Sequence, residues 1–277
     1  MFEVALTAGT IEYDDTGGDA PVVVLLHGLL MDGSLWRHVV DNLRADHRCV
    51  VPTLPFGSHR QPMHDDADLS LLGLAQLVGE FLERLDLRDV TLAGNDSGLM
   101  QVVAADRPER LARLVITSCE AFDNFPPGLP GRTAAIAGRL PGGVYLATQS
   151  LRVGALRRLP ITYGWMSKHP IPGDVFERWG RPSRQQRRVR RDLAKYIRTS
   201  ERDDFVRVAD RLRAFERPAL VAWAADDRVM PIEHGRRLAA ILPEGRFVEI
   251  ADSYTLIPED QPVALSQAIR AFVIEAA

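Results

Sequence analysis

The hydrophobic positions in the first 120 residues follow two alternating patterns. Short β-branched runs, such as Pro21–Leu26 (PVVVLL) and Arg48–Leu54, are typical of buried strands. Between such runs, leucine, valine and phenylalanine recur at helical spacing from Leu74 to Leu85, and Ser70 is placed to cap the amino end of that helix. This alternation predicts βαβ units and a mostly parallel sheet.

The same two patterns predict elements further along the chain. Further strands are predicted at Asp89–Ala93, Arg113–Thr117, Ala219–Trp223 and Arg246–Ile250. Further helices are predicted over about residues 97–105, 234–242 and 262–274.

The alternation stops after Cys119. The turn-rich stretch Phe125–Gly131 (FPPGLPG) leads into an irregularly helical, arginine-rich region without a clear buried strand before Pro218. Residues 121–215 contain 19 basic and 8 acidic residues, against 15 and 29 in the rest of the chain. This asymmetry predicts a separate helical unit at 121–215, inserted into an α/β core formed by residues 1–120 and 216–277.

The composition fits one large domain with an insertion. The chain has 277 residues, of which 46% are hydrophobic, so a sizeable core can form without disulfides or metal. Cys49 and Cys119 lie in apolar runs without metal-ligand spacing, which predicts buried free thiols. No run approaches the roughly 18 apolar residues of a membrane helix, and residues 1–18 carry acidic residues atypical of a secretory signal. We therefore expect a cytoplasmic protein, monomeric or homodimeric, with neither cofactor nor metal and without a membrane partner.

An arginine run extends from Arg178 to Arg191 within the inserted unit. Such a run could attract an anionic ligand or nucleic acid. The only aromatic residue of this run is Trp179, however, so it has no series of interleaved aromatics for base stacking, and the predicted core is acidic. We expect a solvated face that pairs with the core, and no nucleic-acid partner.

The candidate chemistry centres on Gly94-Asn95-Asp96-Ser97-Gly98, which lies between a predicted strand and a predicted helix. The spacing fits a nucleophile elbow, in which a sharp turn presents the central residue above the sheet and leaves no room for Cβ atoms two positions away. The alternative is a glycine-rich turn in which Asp96 only caps the helix.

Other motifs occur in an order that favours the nucleophile elbow over a simple glycine-rich turn. His27-Gly28 follows the PVVVLL strand directly, Asp226-Asp227 follows a late strand with Pro231 four residues beyond, and Asp252-Ser253 follows the last strand. With these motifs the chain resembles the α/β-hydrolase superfamily, and more narrowly the haloalkane dehalogenase and epoxide hydrolase branch. The resemblance implies an α/β-hydrolase fold, with a doubly wound, mostly parallel sheet and an inserted helical cap.

The resemblance also implies roles for individual residues. Asp96 would be the nucleophile that attacks an electrophilic carbon and forms an alkyl-enzyme ester, and its carboxylate would be ionised near pH 7. Asp227 would be the acid of the catalytic triad, with Asp226 as the fallback.

The oxyanion hole would use the backbone N–H groups of Leu29 and Ser97. The His27-Gly28 pair would shape that oxyanion hole.

The sequence departs from the family at the third member of the triad. Thr255 occupies the position of the usual histidine and Tyr254 that of the glycine before it. A threonine hydroxyl is too weak a base to activate water at neutral pH.

Three explanations of this departure remain open. A His-to-Thr change made to trap the ester would alter one position, whereas this segment differs at two. A substitute base could come from elsewhere, and His59 is the candidate because it follows the Arg48–Leu54 strand, near the edge where pockets form in this fold. His38 and His169 are weaker candidates, and His234 is expected to face solvent. Finally, the protein could be a lyase or cyclase, or could bind a ligand without turnover.

The residues around the motifs narrow the expected substrate. Haloalkane dehalogenases usually place a tryptophan after the nucleophile to hold the halide, whereas this chain has Ser97 there. Epoxide hydrolases use cap tyrosines, and Tyr145, Tyr163 and Tyr196 fall in the insertion. We expect a pocket for a small apolar molecule, with Tyr163, Trp165 and Tyr254 in its lining.

Overall fold

The computed structural model describes residues 1–276, which contain an eight-stranded sheet. The strands are β1 (Phe2–Leu6), β2 (Gly9–Asp15), β3 (Val22–Leu26), β4 (Arg48–Pro52), β5 (Val90–Asp96), β6 (Leu111–Cys119), β7 (Ala219–Ala224) and β8 (Gly245–Ile250). Their order in the sheet is β1-β2-β4-β3-β5-β6-β7-β8. The pairs β1·β2 and β2·β4 are antiparallel and the other pairs are parallel, which confirms the predicted mostly parallel sheet.

Helices connect the strands and cover both faces of the sheet. They are α1 (Arg37–Leu43), α2 (Leu71–Arg84), α3 (Leu99–Asp106), α4 (Gly128–Arg139), α5 (Gly143–Ser150), α6 (Gly154–Arg157), α7 (Gly173–Gln185), α8 (Arg187–Thr199), α9 (Arg202–Arg211), α10 (Ile232–Ile241), α11 (Ile257–Asp260) and α12 (Pro262–Glu275). The Ser70 hydroxyl accepts a hydrogen bond from the Gly73 N–H at 3.1 Å, so the predicted cap of α2 is confirmed.

The core lies on both sides of the sheet because successive strand residues point to opposite faces. Val24 and Leu26 pack with α2 and α3 on one face, whereas Val23 and Leu25 pack with α1 and α12 on the other. Because β3 is buried on both faces, its sequence is a continuous apolar run.

Sequence analysis did not predict β1 and β2. These strands form an antiparallel hairpin at one edge of the sheet, and β1 is mostly exposed. An edge strand needs no continuous apolar run, since one of its faces meets water. The exposed Glu3 on β1 therefore interrupts the hydrophobic pattern that marked the central strands, and on β2 the buried Glu12, paired with Arg60, interrupts it as well.

Helices α4–α9 all lie between β6 and β7, within residues 121–215, here called the cap segment. This segment contacts the loops that follow the parallel strands. The Tyr163 hydroxyl donates to the Leu30 carbonyl oxygen at 3.0 Å, and the Trp179 indole N–H donates to the Ser34 hydroxyl at 2.9 Å. The cap segment thus packs against the loop between β3 and α1.

Arginines of the cap segment pair with carboxylates outside it. Arg178 Nε lies 2.6 Å from Asp32 Oδ2, and Arg188 and Arg191 both contact Asp65. These ion pairs bear out the expected pairing of the basic run with the rest of the chain. No helix within residues 1–276 has the length and hydropathy needed to cross a bilayer.

Candidate active site

The elbow between β5 and α3 carries Asp96 at its centre. Asp96 adopts a left-handed backbone conformation (φ 68°), which a non-glycine residue adopts only in a sharply constrained turn. A Cβ at Gly98 would lie 2.6 Å from the carbonyl oxygen of Glu120 and 2.5 Å from the Phe205 ring. The second glycine of the motif is therefore required by close packing, as the pattern predicted.

The carboxylate of Asp96 is bound by the loop after β3. Its Oδ2 accepts a hydrogen bond from the Leu29 N–H at 3.1 Å. A Cβ at Gly28 would collide with this carboxylate, so only glycine allows the loop to approach so closely. The Ser97 N–H donates instead to the Asn95 carbonyl oxygen at 2.9 Å, so in this structure it does not take the predicted place beside Leu29.

His27 holds the same loop in position. Its Nε2 accepts from the Leu54 N–H at 2.9 Å, and its Nδ1 lies 2.8 Å from the Gly28 carbonyl oxygen. Burial lowers the pKa of His27 to about 4, so the ring is neutral at physiological pH. His27 therefore orients the Leu29 N–H and does not itself contact Asp96.

Asp227 and Thr255 lie together beyond the ends of β7 and β8. Asp227 Oδ1 accepts from the Val229 N–H at 2.9 Å, the Met230 N–H at 2.8 Å and the Thr255 hydroxyl at 2.8 Å. Asp226, the fallback, is half-exposed and pairs with Lys168. The geometry thus favours Asp227, and its partner is the Thr255 hydroxyl, at the position where the resemblance implies an imidazole.

An apolar cavity of about 200 Å³ opens above Asp96. Its walls come from the cap segment and from the loops after β3 and β6. The side chains that bring polar groups into the lining include Asp96, Glu120, Thr133, Arg139, Ser150, Thr162, Tyr163 and Tyr196. The volume lies below the usual range of roughly 300–1,000 Å³ for ligand pockets, which favours a small ligand.

The buried carboxylates at this site hold their protons more tightly than exposed ones. Burial raises the pKa of Asp96 to about 7, although the hydrogen bond from Leu29 opposes the shift and the Asp227 charge adds to it. Burial and the Asp96 charge raise the pKa of Glu120 to about 8, and burial raises that of Asp227 to about 6. This environment opposes the expectation that Asp96 is ionised near pH 7 without help, because an apolar site disfavours the charge.

His59 lies outside the cavity. Its Nε2 is 3.1 Å from Asp192 Oδ2 on α8, and its Nδ1 accepts from the Gly57 N–H at 3.3 Å. With both ring nitrogens engaged and only 2% of the residue exposed, His59 links the loop after β4 to the cap segment. The hypothesis that it replaces the missing base does not fit this geometry.

Replacing His59 with alanine tests this assignment. We expect the free energy of unfolding to fall by about 1–3 kcal/mol, because Asp192 loses a buried hydrogen-bond partner. Turnover by the folded variant should fall less than tenfold. Urea titration and steady-state kinetics measure the two effects, with His38→Ala, at an exposed histidine, as the control. A loss of turnover of 10²-fold or more at unchanged stability would restore His59 as the base.

The remaining histidines do not supply the base either, since none of the residues that line the cavity is a histidine. His169 and His38 are exposed. His234 is half-buried against the Phe122 ring, with centroids 5.6 Å apart, so the expectation that it faces solvent is wrong. The helix α10 turns this side chain inward, which its position after Pro231 did not reveal.

Of the three expected pocket residues, only Tyr163 lines the cavity. Tyr254 borders a separate hollow and lies under the guanidinium of Arg228, 4.6 Å from the ring centroid. Trp165 is half-buried and packs behind the cavity wall. Sequence reasoning missed Tyr196 as a lining residue and missed Glu120 altogether. Glu120 directly follows a buried strand, Asp96 ends one and Asp227 comes three residues after one, so a position at the carboxyl end of a strand was the available signal.

Comparison with known proteins gives a consistent family assignment. A family model described as the alpha/beta hydrolase fold matches residues 21–262. The uncharacterized hydrolase YugF of Bacillus subtilis (strain 168) is 25% identical over 91% of this chain and 89% of its own length. A cis-3-alkyl-4-alkyloxetan-2-one decarboxylase of Xanthomonas campestris pv. campestris is 28% identical over 94% of this chain and 90% of its own.

Solved structures support the same fold. A crystal structure described as an ancestral haloalkane dehalogenase (AncHLD2, node 2) superimposes with a TM-score of 0.77 at 21% identity. The match covers all of this chain and 99% of the other. With the matched family model, the parallel sheet and the elbow after β5, the chain belongs to the alpha/beta hydrolase fold family and is a hydrolase-type enzyme.

Proposed function

We propose that the protein opens a strained C–O ring in a small apolar molecule, with Asp96 as the nucleophile and an alkyl-enzyme ester as the intermediate. The observation that carries this proposal is the orientation of the Asp96 carboxylate. Its Oδ2 is held by the Leu29 N–H, whereas no donor within residues 1–276 binds Oδ1 at the floor of the cavity. Oδ1 is then free to attack, and the Leu29 N–H stabilises the charge that develops on Oδ2 during ester hydrolysis.

A phenol in the lining favours an oxygen leaving group. Tyr163 and Tyr196 line the cavity, and burial raises the pKa of both hydroxyls, so both stay neutral. The Tyr163 hydroxyl already donates to the Leu30 carbonyl oxygen, which leaves Tyr196 as the donor for the substrate. A donor at this place stabilises the alkoxide that forms when a C–O bond breaks. No tryptophan lines the cavity to donate an indole N–H to a departing halide. An epoxide-like ether therefore fits better than a haloalkane.

The cap segment serves as a lid in this proposal. It contributes both phenols and most of the apolar wall, and its contacts with the loop after β3 close the cavity over Asp96. Excluding bulk water strengthens the hydrogen bonds inside the site and protects the ester from uncontrolled reaction with solvent. We infer that residues 121–215 act as a unit with this role, while residues 1–120 and 216–277 form the catalytic core.

A non-hydrolytic reaction is the second candidate. The hydroxyl of Thr255 donates to Asp227 where an imidazole would activate water, so one route to ester hydrolysis is closed. The decarboxylase relative acts on an oxetanone, a four-membered cyclic ester, according to its name. If Asp96 attacked the alkyl carbon of such an oxetan-2-one, the ring C–O bond would break and free a carboxylate. Loss of carbon dioxide from that carboxylate would then form an alkene as the C–O bond to Asp96 breaks, which restores the Asp96 carboxylate and requires no water.

The experiment compares matched C4–C8 1,2-epoxides and 1-bromoalkanes as substrates. Epoxides should give diols, while bromide release should be at least tenfold slower because the site lacks a halide donor. Tyr196→Phe should lower epoxide turnover by about 10²-fold, the usual size for a lost proton donor. Tyr145→Phe is the control, since Tyr145 is 42% exposed on the outer surface of the cap segment. Faster bromide release than diol formation would contradict the proposal.

A further inference from the structure

Glu120 is the first residue after β6 and lies beside Asp96 at the ends of two adjacent parallel strands. Its backbone N–H donates to the Asp96 carbonyl oxygen at 3.3 Å, and Asp96 is in register with the preceding residue, Cys119. Its carboxylate Oε2 accepts from the Gly98 N–H at 2.7 Å. Glu120 is therefore fixed to the elbow at both its main chain and its side chain.

The carboxylate of Glu120 also reaches the cavity. It lines the same apolar cavity as Asp96 and the phenol Tyr196. Only 8% of the residue is exposed. Gln101 Nε2 donates to its backbone carbonyl oxygen at 2.7 Å, but no side chain within residues 1–276 donates a hydrogen bond to its carboxylate or forms an ion pair with it. A buried carboxyl group without a cationic partner is costly. Apart from the bond to Gly98, no interaction of the fold described above requires a carboxyl group at this position.

We propose that Glu120 is the proton donor and acceptor that replaces the imidazole, giving the site two carboxylates with separate roles. This inference rests on the proposed function, in which Asp96 is the nucleophile. Two carboxylates can run a double displacement when one attacks carbon while the other first gives and then takes a proton.

In the first step, Asp96 Oδ1 forms a bond to a ring carbon and the ring C–O bond breaks. The released oxygen takes a proton from the Tyr196 hydroxyl, which is restored by the proton of Glu120. The products are a hydroxyalkyl ester on neutral Asp96 and an ionised Glu120. No other acid is needed.

In the second step, the Glu120 carboxylate takes a proton from water as the water oxygen attacks Asp96 Cγ. The tetrahedral intermediate carries its negative charge on Oδ2, against the Leu29 N–H. When it collapses, the bond from Cγ to the alkoxy oxygen breaks, and that oxygen takes the proton of the new Asp96 hydroxyl. Asp96 is again ionised and Glu120 again protonated, so the net reaction is epoxide plus water to diol.

The two raised pKa values fit one proton held by the pair. Burial and the Asp96 charge raise the pKa of Glu120 to about 8, and burial raises that of Asp96 to about 7. Because the two carboxylates interact, they titrate as a pair, and near neutral pH the pair holds one proton. The first step starts from the state in which this proton is on Glu120.

The test uses Glu120→Gln, because a glutamine oxygen can still accept the Gly98 N–H. With an epoxide that the wild-type protein hydrolyses, we expect the variant to accumulate a covalent adduct on the peptide containing Asp96. Steady-state turnover should fall 10²–10⁴-fold. Intact-mass and peptide-mass measurements after acid quench detect the adduct. Glu109→Gln is the matched control, since Glu109 precedes the other end of β6 and is exposed; it should hydrolyse normally.

The outcomes separate this inference from the function on which it rests. If wild-type protein turns over and Asp96→Asn does not, the nucleophile stands and Glu120→Gln decides the role of Glu120. Turnover of Glu120→Gln within threefold of wild type would overturn the inference. Loss of turnover without an adduct would overturn it if formate also failed to rescue Glu120→Ala. If wild-type protein gives neither diol nor adduct, the proposed function itself fails. As a second variant, Glu120→Ala should regain at least tenfold in activity when formate is added, and no gain would count against the inference.

Discussion

Asp96→Asn will make the protein more stable at pH 8 while it abolishes turnover. The substitution keeps the shape of the side chain and an oxygen that can accept the Leu29 N–H. It removes a carboxylate that burial disfavours, as the raised pKa of about 7 records. In the unfolded chain this carboxyl group ionises near pH 4. Above pH 7 the folded state is therefore destabilised by the free energy that corresponds to the whole difference between the folded and unfolded pKa values.

The expected gain in the free energy of unfolding at pH 8 is about 2–4 kcal/mol, since one pKa unit corresponds to about 1.4 kcal/mol and the charge is coupled to Glu120. Turnover should fall by about 10⁴-fold or more, the usual cost of losing a nucleophile. Urea unfolding at pH 8 and product assays on the same preparations measure both effects. A stability gain together with lost activity is typical of a strained catalytic site.

Asp192→Asn provides the matched control. Asp192 is also a buried aspartate, but hydrogen bonds from His59, Arg191 and the Met63 N–H outweigh its burial and lower its pKa. The same chemical change should therefore reduce the stability there. If both variants lost stability at pH 8, the carboxylate of Asp96 would not be the unfavourable charge described here.

The stability of the wild-type protein should fall as the pH rises from 6.5 to 8.5. Asp96 and Glu120, with raised pKa values of about 7 and 8, lose protons in this window. In the unfolded chain both groups are already ionised, so the folded state binds more protons and stability decreases with pH. Integrating the two titrations gives a loss of about 2–3 kcal/mol.

Other titrating groups have little influence in that window. Asp227, with a pKa of about 6, acts in the same direction but mainly below pH 6.5. Burial lowers the pKa of His27 and of His234, so these rings oppose the trend only below about pH 6.5. Tyr163 and Tyr196, which also face Asp96, titrate above this pH window because their pKa values are raised.

Chemical unfolding at four pH values between 6.5 and 8.5 measures the slope of stability against pH. A flat or rising profile in the wild-type protein would contradict the prediction. The double variant Asp96→Asn/Glu120→Gln is the control and should show a flatter profile.

The sequence allowed the parallel core and the elbow to be predicted because both depend on local signals. β-Branched runs mark strands that are buried on both faces, and the glycines around Asp96 are required by contacts that any such turn must make. The choice of Asp227 over Asp226 came from a proline four residues away, and its three hydrogen bonds agree with that choice.

The contents of the cavity could not be predicted in the same way. His59 does follow β4, but α8 places Asp192 against it from 133 positions away, and no local pattern contains that contact. Sequence analysis predicted Tyr254 in the lining and named Tyr196 only as a tyrosine of the insertion. The packing of the cap segment instead puts Tyr196 in the lining, and Tyr254 borders a separate hollow. Glu120 belongs to no motif, and the role proposed for it depends on the buried strand pair that brings it beside Asp96.

A single-turnover reaction in H₂¹⁸O tests the central claim, that Asp96 forms an ester which water then cleaves. With enzyme in excess over an epoxide, water that attacks Asp96 Cγ leaves its oxygen in the carboxylate. We predict that the peptide containing Asp96 gains about 2 Da while the first diol released carries no label. Label in the diol with none in Asp96 would show direct attack of water on the substrate and would contradict the account.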